Sequence, residues 1–246
     1  MNEPSRRGAI GVLVGLGGAA ALGALPRTVV AQSSVAIPAQ PMRLTRRLER
    51  SLHGGATISV GRSWRIEFSR QSDERPADIN VSGVQLDVEV DAPESLAPLV
   101  EIEQSRSTDA MWPITLSSGG RVTATGRGTG ADDIAAAIAK AQHMIAERPI
   151  PANRREAQQV YLQELQLAGS SLLDQLPDDL FFPLERPLNS SRTVELPGGL
   201  IGQFELTYDA HRAVGCDWLH NATREVVTRI GQSEQRAKEQ WLLTNI

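Results

Sequence analysis

Cys216, Asp217 and His220 come closest to a catalytic set, because a thiol, a carboxylate and an imidazole are the parts of a nucleophilic active site. The even-numbered apolar residues from 216 to 230 predict a β-strand, on which four residues span about 13 Å. Cys216 and His220 would then lie beyond hydrogen-bond distance, so neither could activate the other. The spacing therefore favours a buried structural cysteine over a nucleophile.

A glycine-rich stretch, residues 126–131, joins a predicted strand to a predicted helix, as phosphate-binding loops do. Asp132 and Asp133 follow at the helix N-terminus, where their charge would repel a phosphate. No run of parallel strands follows to complete a dinucleotide-binding fold. We therefore interpret the stretch as a flexible turn. The four histidines and the lone cysteine are widely scattered, so the sequence predicts no metal site and no cofactor.

A very apolar stretch, residues 176–187, contains three prolines that exclude a regular element. It either seals an open end of the core, which we expect, or forms a mobile lip over a cavity. On the second alternative, a hydrophobic or lipid-like ligand would contact a small set of core side chains. This predicted ligand site consists of Phe181, Phe182, Trp64, Ile138 and Leu165.

The first 31 residues have the pattern of a secretory signal. Arg6 and Arg7 precede an uncharged apolar run, and residues 29–31 fit a signal-peptidase site with cleavage before Gln32. The pair of arginines after a serine resembles a twin-arginine export signal. The alternative is an uncleaved membrane anchor, because about 18 apolar residues could span a bilayer. Six glycines in the run disfavour the anchor.

Removal of this segment makes the chain mildly acidic. Of 25 basic and 29 acidic residues, the segment holds three arginines and one glutamate, which leaves 22 basic and 28 acidic residues. This balance argues against a nucleic-acid partner. A lone cysteine cannot form an internal disulfide, so packing must stabilise the protein in an oxidising compartment. We expect a periplasmic protein with a flexible lead-in (32–41), a single domain (42–246) and no stable membrane span after cleavage.

Alternation of apolar and polar residues predicts β-strands in most of this domain. The clearest run covers residues 56–68. Residues 42–52 and 233–243 fit either a strand or a helix, and we favour strands for both. The arginines within 42–52 are interpreted as lying along a solvated edge, with contact to anionic lipid headgroups as the alternative. The phase of alternation slips at Ser82–Gly83, which predicts a β-bulge that turns Val81 and Val84 to the same side.

Two helices are predicted in the middle of the chain, within residues 131–174. Apolar residues recur there at three- and four-residue steps, prolines near residue 150 separate the helices, and Asn153 caps the second. The predicted fold class is α+β: a curved, half-barrel-like antiparallel sheet of roughly eight to ten strands wrapped around two to three central helices. We expect the helices to pack on the concave side, against Trp64, Ile66, Leu86 and Phe204.

This order of strands, central helices and further strands over residues 42–243, behind an export signal, resembles the periplasmic lipoprotein-carrier half-barrels of the LolA/LolB type. It is also similar to uncharacterised exported bacterial proteins. The resemblance implies a curved sheet and helices that enclose an apolar cavity for acyl chains. It rests on element order, so it assigns no binding residue.

Three classes of function remain. A carrier or binder of a hydrophobic ligand fits the bent sheet, and a non-enzymatic envelope interaction or assembly protein fits it equally well with a filled core. A hydrolase is the least favoured class, because the sequence shows no set of nucleophile, base and acid. The sequence thus predicts a non-enzymatic protein whose partner is a hydrophobic ligand or an envelope protein.

Overall fold

A computed structural model describes residues 34–52, 55–71, 78–126, 134–147 and 153–246, all within one compact unit, residues 32–246. The predicted export signal, nearly all of the glycine-rich stretch and the prolines near residue 150 lie outside the described residues.

The described residues form one antiparallel sheet of nine strands, which confirms the predicted antiparallel sheet. Across the sheet the strands run in the order β5-β4-β3-β2-β1-β9-β8-β7-β6, so the first and last strands are central neighbours. Both segments that fitted either a strand or a helix are strands. The strands are β1 (Met42–Ser51), β2 (Thr57–Arg70), β3 (Ile79–Asp91), β4 (Ile114–Leu116), β5 (Val122–Ala124), β6 (Leu188–Leu196), β7 (Leu200–Arg212), β8 (Leu219–Ile230) and β9 (Ser233–Asn245).

In the described residues, three α-helices interrupt the strands: α1 (Ala97–Ser105), α2 (Ile134–Ala146) and α3 (Arg154–Leu173). Short 3-10 turns cover Glu94–Leu96, Asp109–Met111 and Pro197–Gly199. The predicted cap of α3 is confirmed, because the Asn153 side chain accepts a hydrogen bond of 2.9 Å from the backbone N–H of Arg155. None of the helices in the described ranges is long and apolar enough to cross a membrane.

One face of the sheet, called the buried face below, carries two apolar clusters. The first, the helix cluster, lies between α3 and strands β6 to β9, and α3 approaches the sheet closely. A Cβ atom at Gly169 would lie 3.0 Å from Val226 and 3.1 Å from Phe204, so glycine lets the helix backbone reach these side chains. The cluster consists of Ile145, Ala157, Tyr161, Leu162, Leu165, Ala168, Leu173, Val194, Leu196, Leu200, Phe204, Leu206, Val226, Ile230 and Ala237.

The second cluster, called the tryptophan cluster, lies at the other end of the same face and is covered by the irregular segment 176–183. The expectation that helices would cover Trp64 and Ile66 is therefore wrong, although it holds for Phe204. Leu86 is 42% exposed and belongs to neither cluster. The tryptophan cluster consists of Met42, Leu44, Trp64, Ile66, Ile79, Val81, Ile114, Leu116, Leu180, Phe181, Phe182, Tyr208, Ala210, Leu219, Ala222, Trp241 and Leu243.

The predicted bulge at Ser82–Gly83 is wrong in position. Val81 is buried while Val84 is 68% exposed, so alternation continues through the glycine. The register between β2 and β3 shifts later, at the Ser63/Trp64 step, opposite residues 85–87. Gly83 has another physical role: a Cβ atom there would lie 2.3 Å from the Trp112 ring, so the glycine makes room for a tryptophan.

The first described residues, 34–41, contain no regular element but are attached to the domain. Val35 donates a backbone hydrogen bond of 3.2 Å to Ser118, and Ala36 donates one of 2.9 Å to the Asp217 carboxylate. Val35 and Ile37 also pack against the tryptophan cluster. This part of the predicted lead-in therefore contacts the end of the sheet.

Candidate functional site

The five residues of the predicted ligand site do not come together. Trp64, Phe181 and Phe182 belong to the tryptophan cluster, whereas Leu165 and Ile138 belong to or pack against the helix cluster. All but Ile138, which is half-buried, are 3% exposed or less. A ligand could contact both groups only if packed side chains moved apart.

The two phenylalanines are held in the core by aromatic and backbone contacts. The Phe68 ring meets Phe181 and Phe182 edge-on, with centroid distances of 5.8 and 5.9 Å. The Phe181 carbonyl accepts a hydrogen bond of 2.9 Å from the Leu219 N–H. A Cβ atom at Gly120 would lie 2.6 Å from the Phe182 ring, so the chain closes tightly over it. The predicted sealing role of this segment is confirmed by this burial.

A row of charged side chains separates the two clusters on the buried face. Glu239 is fully buried on β9, and it accepts hydrogen bonds from Arg46 on β1 and Arg224 on β8. The distances from Arg224 to the carboxylate are 2.6 and 3.0 Å. Along β1 the row lies between Leu44 and Leu48, which pack in the tryptophan cluster and against the helix cluster respectively. We call Arg46, Glu239 and Arg224 the charged row.

The two arginines of the charged row also bind the end of α3. Arg46 donates a hydrogen bond of 2.6 Å to the carbonyl of Leu173, and Arg224 donates one of 2.8 Å to that of Gln175. Helix C-termini leave carbonyls unpaired and carry partial negative charge, so cations stabilise them. The row therefore fixes the point where α3 ends and the sealing segment begins.

Arg62 on β2 makes the equivalent contact with α1. It donates hydrogen bonds of 2.6 Å to the Glu103 carbonyl and 3.2 Å to the Arg106 carbonyl, and a salt bridge of 3.3 Å joins it to the Glu103 carboxylate. Arg62 is opposite Arg46 in the β1–β2 register. Both helices thus end against arginines of the buried face, although α1 and α3 lie far apart in the sequence.

Burial shifts the pKa of two groups here: Arg224 in the charged row and Tyr208, which is opposite Arg224 in the β7–β8 register. It lowers the pKa of Arg224, and the Glu239 carboxylate opposes that shift. Burial and the neighbouring Asp179 carboxylate raise the pKa of Tyr208, although its hydroxyl makes no hydrogen bond of normal geometry. The raised pKa keeps the Tyr208 phenol protonated at neutral pH, and the Glu239 carboxylate favours the charged form of Arg224.

An open depression of about 300 Å³ lies where β3 runs into α1. Val90, Ala97 and Val100 supply apolar parts of its lining. Val90 pairs with Val60 on β2, which pairs with Leu48 on β1, and all three side chains are half-buried. Apolar side chains therefore remain partly accessible to solvent on this part of the buried face.

The thiol residues are not arranged as the sequence suggested. Cys216 lies in the turn between β7 and β8, where its N–H donates a hydrogen bond of 3.0 Å to Ala213, and it is half-buried. The predicted strand position of Cys216 is wrong, because β8 begins only at Leu219, and the cysteine is not the buried one expected. His220 is exposed. Among the described residues, no three His, Cys, Asp or Glu side chains form a group that could hold a metal ion.

The arginines of β1 are also placed differently from the prediction. β1 pairs with strands on both sides, so it is a central strand and not a solvated edge. Arg43 and Arg47 are about half exposed, with salt bridges to Asp87 and Glu49, whereas Arg46 is in the charged row. Sequence reasoning did not find the charged row. The one signal in the sequence was a charged residue at a strand position where alternation places apolar residues.

No protein-family model matches the chain, and a search of curated proteins finds no match.

Proposed function

We propose that the protein is a non-enzymatic exported protein of the bacterial envelope that acts on a partner protein through its surface. The observation that carries this proposal is the filled buried face. Trp64, Phe181 and Leu165, which a cavity for a ligand would have exposed, are each 1% exposed or less. The charged row between the clusters would also oppose an acyl chain, because a chain that crossed this face would have to separate buried charges that are paired with each other.

Export to the periplasm is part of the proposal. Its support is the pattern of residues 1–31: paired arginines, an uncharged run rich in glycine and alanine, and a small-residue cleavage site. Replacement of Arg6 and Arg7 with lysine should block export, and the wild-type protein should begin at Gln32. N-terminal sequencing that finds intact Met1 in the membrane fraction would overturn the cleavage.

We also propose that the sheet has a half-barrel arrangement. Nine antiparallel strands with α3 packed along one face support a sheet that curves around its helix, as in lipoprotein carriers. In this arrangement the charged row crosses the inside of the curve. The helix and the sealing segment then occupy the space that a carrier would keep for its cargo.

A second candidate is a carrier of a hydrophobic ligand. The half-buried Val90 and Val100, which line the depression of about 300 Å³, favour it. A ligand would bind there, at the opposite end of the face from Phe181. A cavity of this volume is at the small end of ligand sites in proteins, which is why we place the carrier second.

Native mass spectrometry of the protein purified from its own envelope separates the candidates. The surface-acting protein should show the mass of the bare chain together with a recurrent partner protein. A lipid retained at one per chain would overturn that proposal and support the carrier. Val90→Trp, which fills the depression, should abolish such retention, whereas Val84→Trp on the exposed face of the same strand should leave it unchanged.

A further inference from the structure

The two edges of the sheet differ in length. At one edge β5 has three residues, whereas at the other β6 has nine. Within the described residues, β6 pairs only with β7, so the backbone groups on its other side have no strand partner. Such an unpaired edge is a template for another strand, and proteins usually protect it with proline, lysine, a bulge or a very short strand.

β6 carries few of these protections. Residues 188–196 contain no proline and no lysine, and β6 pairs with β7 without a register shift. Arg192 is the one basic residue. The side chains of residues 188–193 are exposed or half-exposed, and Leu188 is 49% exposed although it is apolar. A long, regular edge with an exposed leucine at its start can pair with another strand.

The sequence of this edge is self-complementary. We propose that β6 pairs with β6 of a second copy of this chain, antiparallel and with the twofold axis at Ser191. In that register Leu188 is opposite Val194, Asn189 is opposite Thr193, and Ser190 is opposite Arg192. The exposed Leu188 thus lies beside Val194 at the margin of the partner copy's helix cluster, and polar residues meet polar residues, with Ser191 opposite its own copy. Side chains of this kind stabilise directly opposed positions of an antiparallel pair.

The neighbouring twofold registers are worse. An axis at Arg192 places two arginines opposite each other, which is unfavourable. An axis at Thr193 places Arg192 opposite Val194 and leaves Leu188 without an apolar partner. Registers with the axis between two residues would place side chains of opposite faces together, which the pleat of a sheet forbids. The axis at Ser191 is the register that covers Leu188 and separates the charges.

This inference is independent of the proposed partner protein, because it concerns two copies of one chain. Disulfide trapping tests it in a Cys216→Ser background, which removes the native thiol. Ser191→Cys places two thiols at directly opposed positions, about 4.5–5.5 Å apart at Cβ, and mild oxidation should join the copies. Asn189→Cys is the matched control on the same strand and face. Its two thiols would lie about 13 Å apart, beyond disulfide reach.

Mixing Asn189→Cys with Thr193→Cys provides a further check, because these positions are opposed in the proposed register. The mixture should cross-link, whereas each variant alone should not. Equal cross-linking of all single variants would show random collision and overturn the proposal. A lack of cross-linking at Ser191→Cys in every condition would overturn it too. If a foreign extended peptide then protected the β6 amides from hydrogen exchange, the edge would serve another partner.

Sedimentation velocity with charge variants gives a second readout that cysteines do not affect. Ser190→Glu puts a carboxylate opposite each Arg192, and Ser190→Arg puts a second guanidinium there. The first should strengthen and the second should weaken dimerisation, each by roughly two- to thirty-fold because the pair occurs twice in the dimer. A shift in the same direction for both variants, or none, would contradict the register.

Discussion

The helix cluster and the tryptophan cluster lie on the same face of one sheet but are covered by different kinds of structure. α3 covers the first, and the irregular segment 176–183 covers the second. A helix satisfies its own backbone groups, so it can be placed against a sheet by apolar side chains alone. An irregular segment has to find a partner for every buried backbone group.

The sealing segment finds those partners around the rim of the tryptophan cluster. The Asp178 carbonyl accepts a hydrogen bond of 2.7 Å from Val122, and the Phe181 carbonyl accepts one of 2.9 Å from Leu219. The Pro183 carbonyl accepts one of 2.7 Å from the Arg212 side chain. These bonds reach β5, β8 and β7 in turn. The segment is thereby hydrogen-bonded to strands from both halves of the strand order. A helix would not need such bonds.

The charged row belongs to both regions, because it binds the last carbonyls of α3 and lies beside the first residues of the seal. Glu239→Ala should therefore cause the largest loss of stability. It leaves the half-buried Arg46 and the buried Arg224 without a carboxylate, and breaking a buried pair in this way costs about 3–5 kcal/mol. Urea denaturation of the variant measures the loss. Glu49→Ala, which removes a partly exposed pair with Arg47, should cost less than about 1 kcal/mol.

Equal losses in these two variants would show that the row is solvated and does not divide the core. A second result would also contradict the comparison: a Glu239→Ala protein in which hydrogen exchange rises only in α3. Because the row supports both coverings, we expect amides of the seal and of α3 to lose protection together.

Core truncation on each side should have large but distinct effects. Phe181→Ala should cost about 3–5 kcal/mol and Leu165→Ala about 2–5 kcal/mol, as expected for filled cores. Ile138→Ala should cost less than either, because Ile138 is half-buried. Leu184→Ala serves as the control beside the seal, since Leu184 is 44% exposed and its loss should change stability by less than about 0.5 kcal/mol.

Thermal melts with and without extracted envelope lipid complete this test. A filled core predicts no lipid effect on any of the four variants. Stabilisation of the wild type by lipid, lost in Phe181→Ala, would show that the tryptophan cluster opens to a ligand. That outcome would restore the part of the predicted ligand site formed by Trp64, Phe181 and Phe182, and remove the surface-acting proposal.

Local patterns explain what could be predicted of this fold. Alternation identified most of the long strands, since one side of each is buried and the pleat has a period of two. For β1 and β9 it only favoured a strand, because the same residues also fitted a helix. The cap at Asn153 and the helices on either side of it were predicted from equally local patterns. These features depend on neighbours within a few residues, and a single sequence contains them.

The charged row and the seal depend on residues far apart in the chain. Arg46, Arg224 and Glu239 each stand in the apolar phase of a strand, but nothing within one strand shows that the three charges meet. They become a site only when β1, β9 and β8 are neighbours, which alternation does not specify. The separation of Trp64 from Leu165 was missed for the same reason, because nothing local shows that irregular structure covers one end of the face.

Gly83→Ala tests a packing contact at the tryptophan end. The new Cβ atom would lie 2.3 Å from the Trp112 ring, so the ring must move, and overpacking of this kind costs about 1–3 kcal/mol. Gly119→Ala is the matched control, since its nearest atom is 3.8 Å away. The control should be neutral or slightly stabilising. A neutral Gly83→Ala would instead show that the Trp112 ring can move without loss of stability.

The smallest expected effect is a pH dependence on the exposed face behind the helix cluster. Arg229 and Arg236 both bind the Glu234 carboxylate, at 2.6 and 3.0 Å, and hold its pKa below the usual value. A carboxylate with a lowered folded-state pKa stabilises the fold above its unfolded pKa of about 4.5, and that contribution is lost as the pH falls through the folded value. Glu234→Gln should therefore flatten the stability profile below about pH 4.5, with little change at pH 7 beyond the lost pairing.

Hydrogen exchange at low pH locates this effect. Because Glu234 and Arg229 flank the turn between β8 and β9, acid should loosen that hairpin, where Ile230 packs in the helix cluster, before the strands of the tryptophan cluster. High salt should reduce the difference between wild type and variant, since the pairs are partly exposed. Glu67→Gln, which removes the carboxylate paired with Arg65, is the control on β2, in the other half of the strand order. If acid loosened β2 and β3 first, the weaker region of the sheet would be the one covered by the seal.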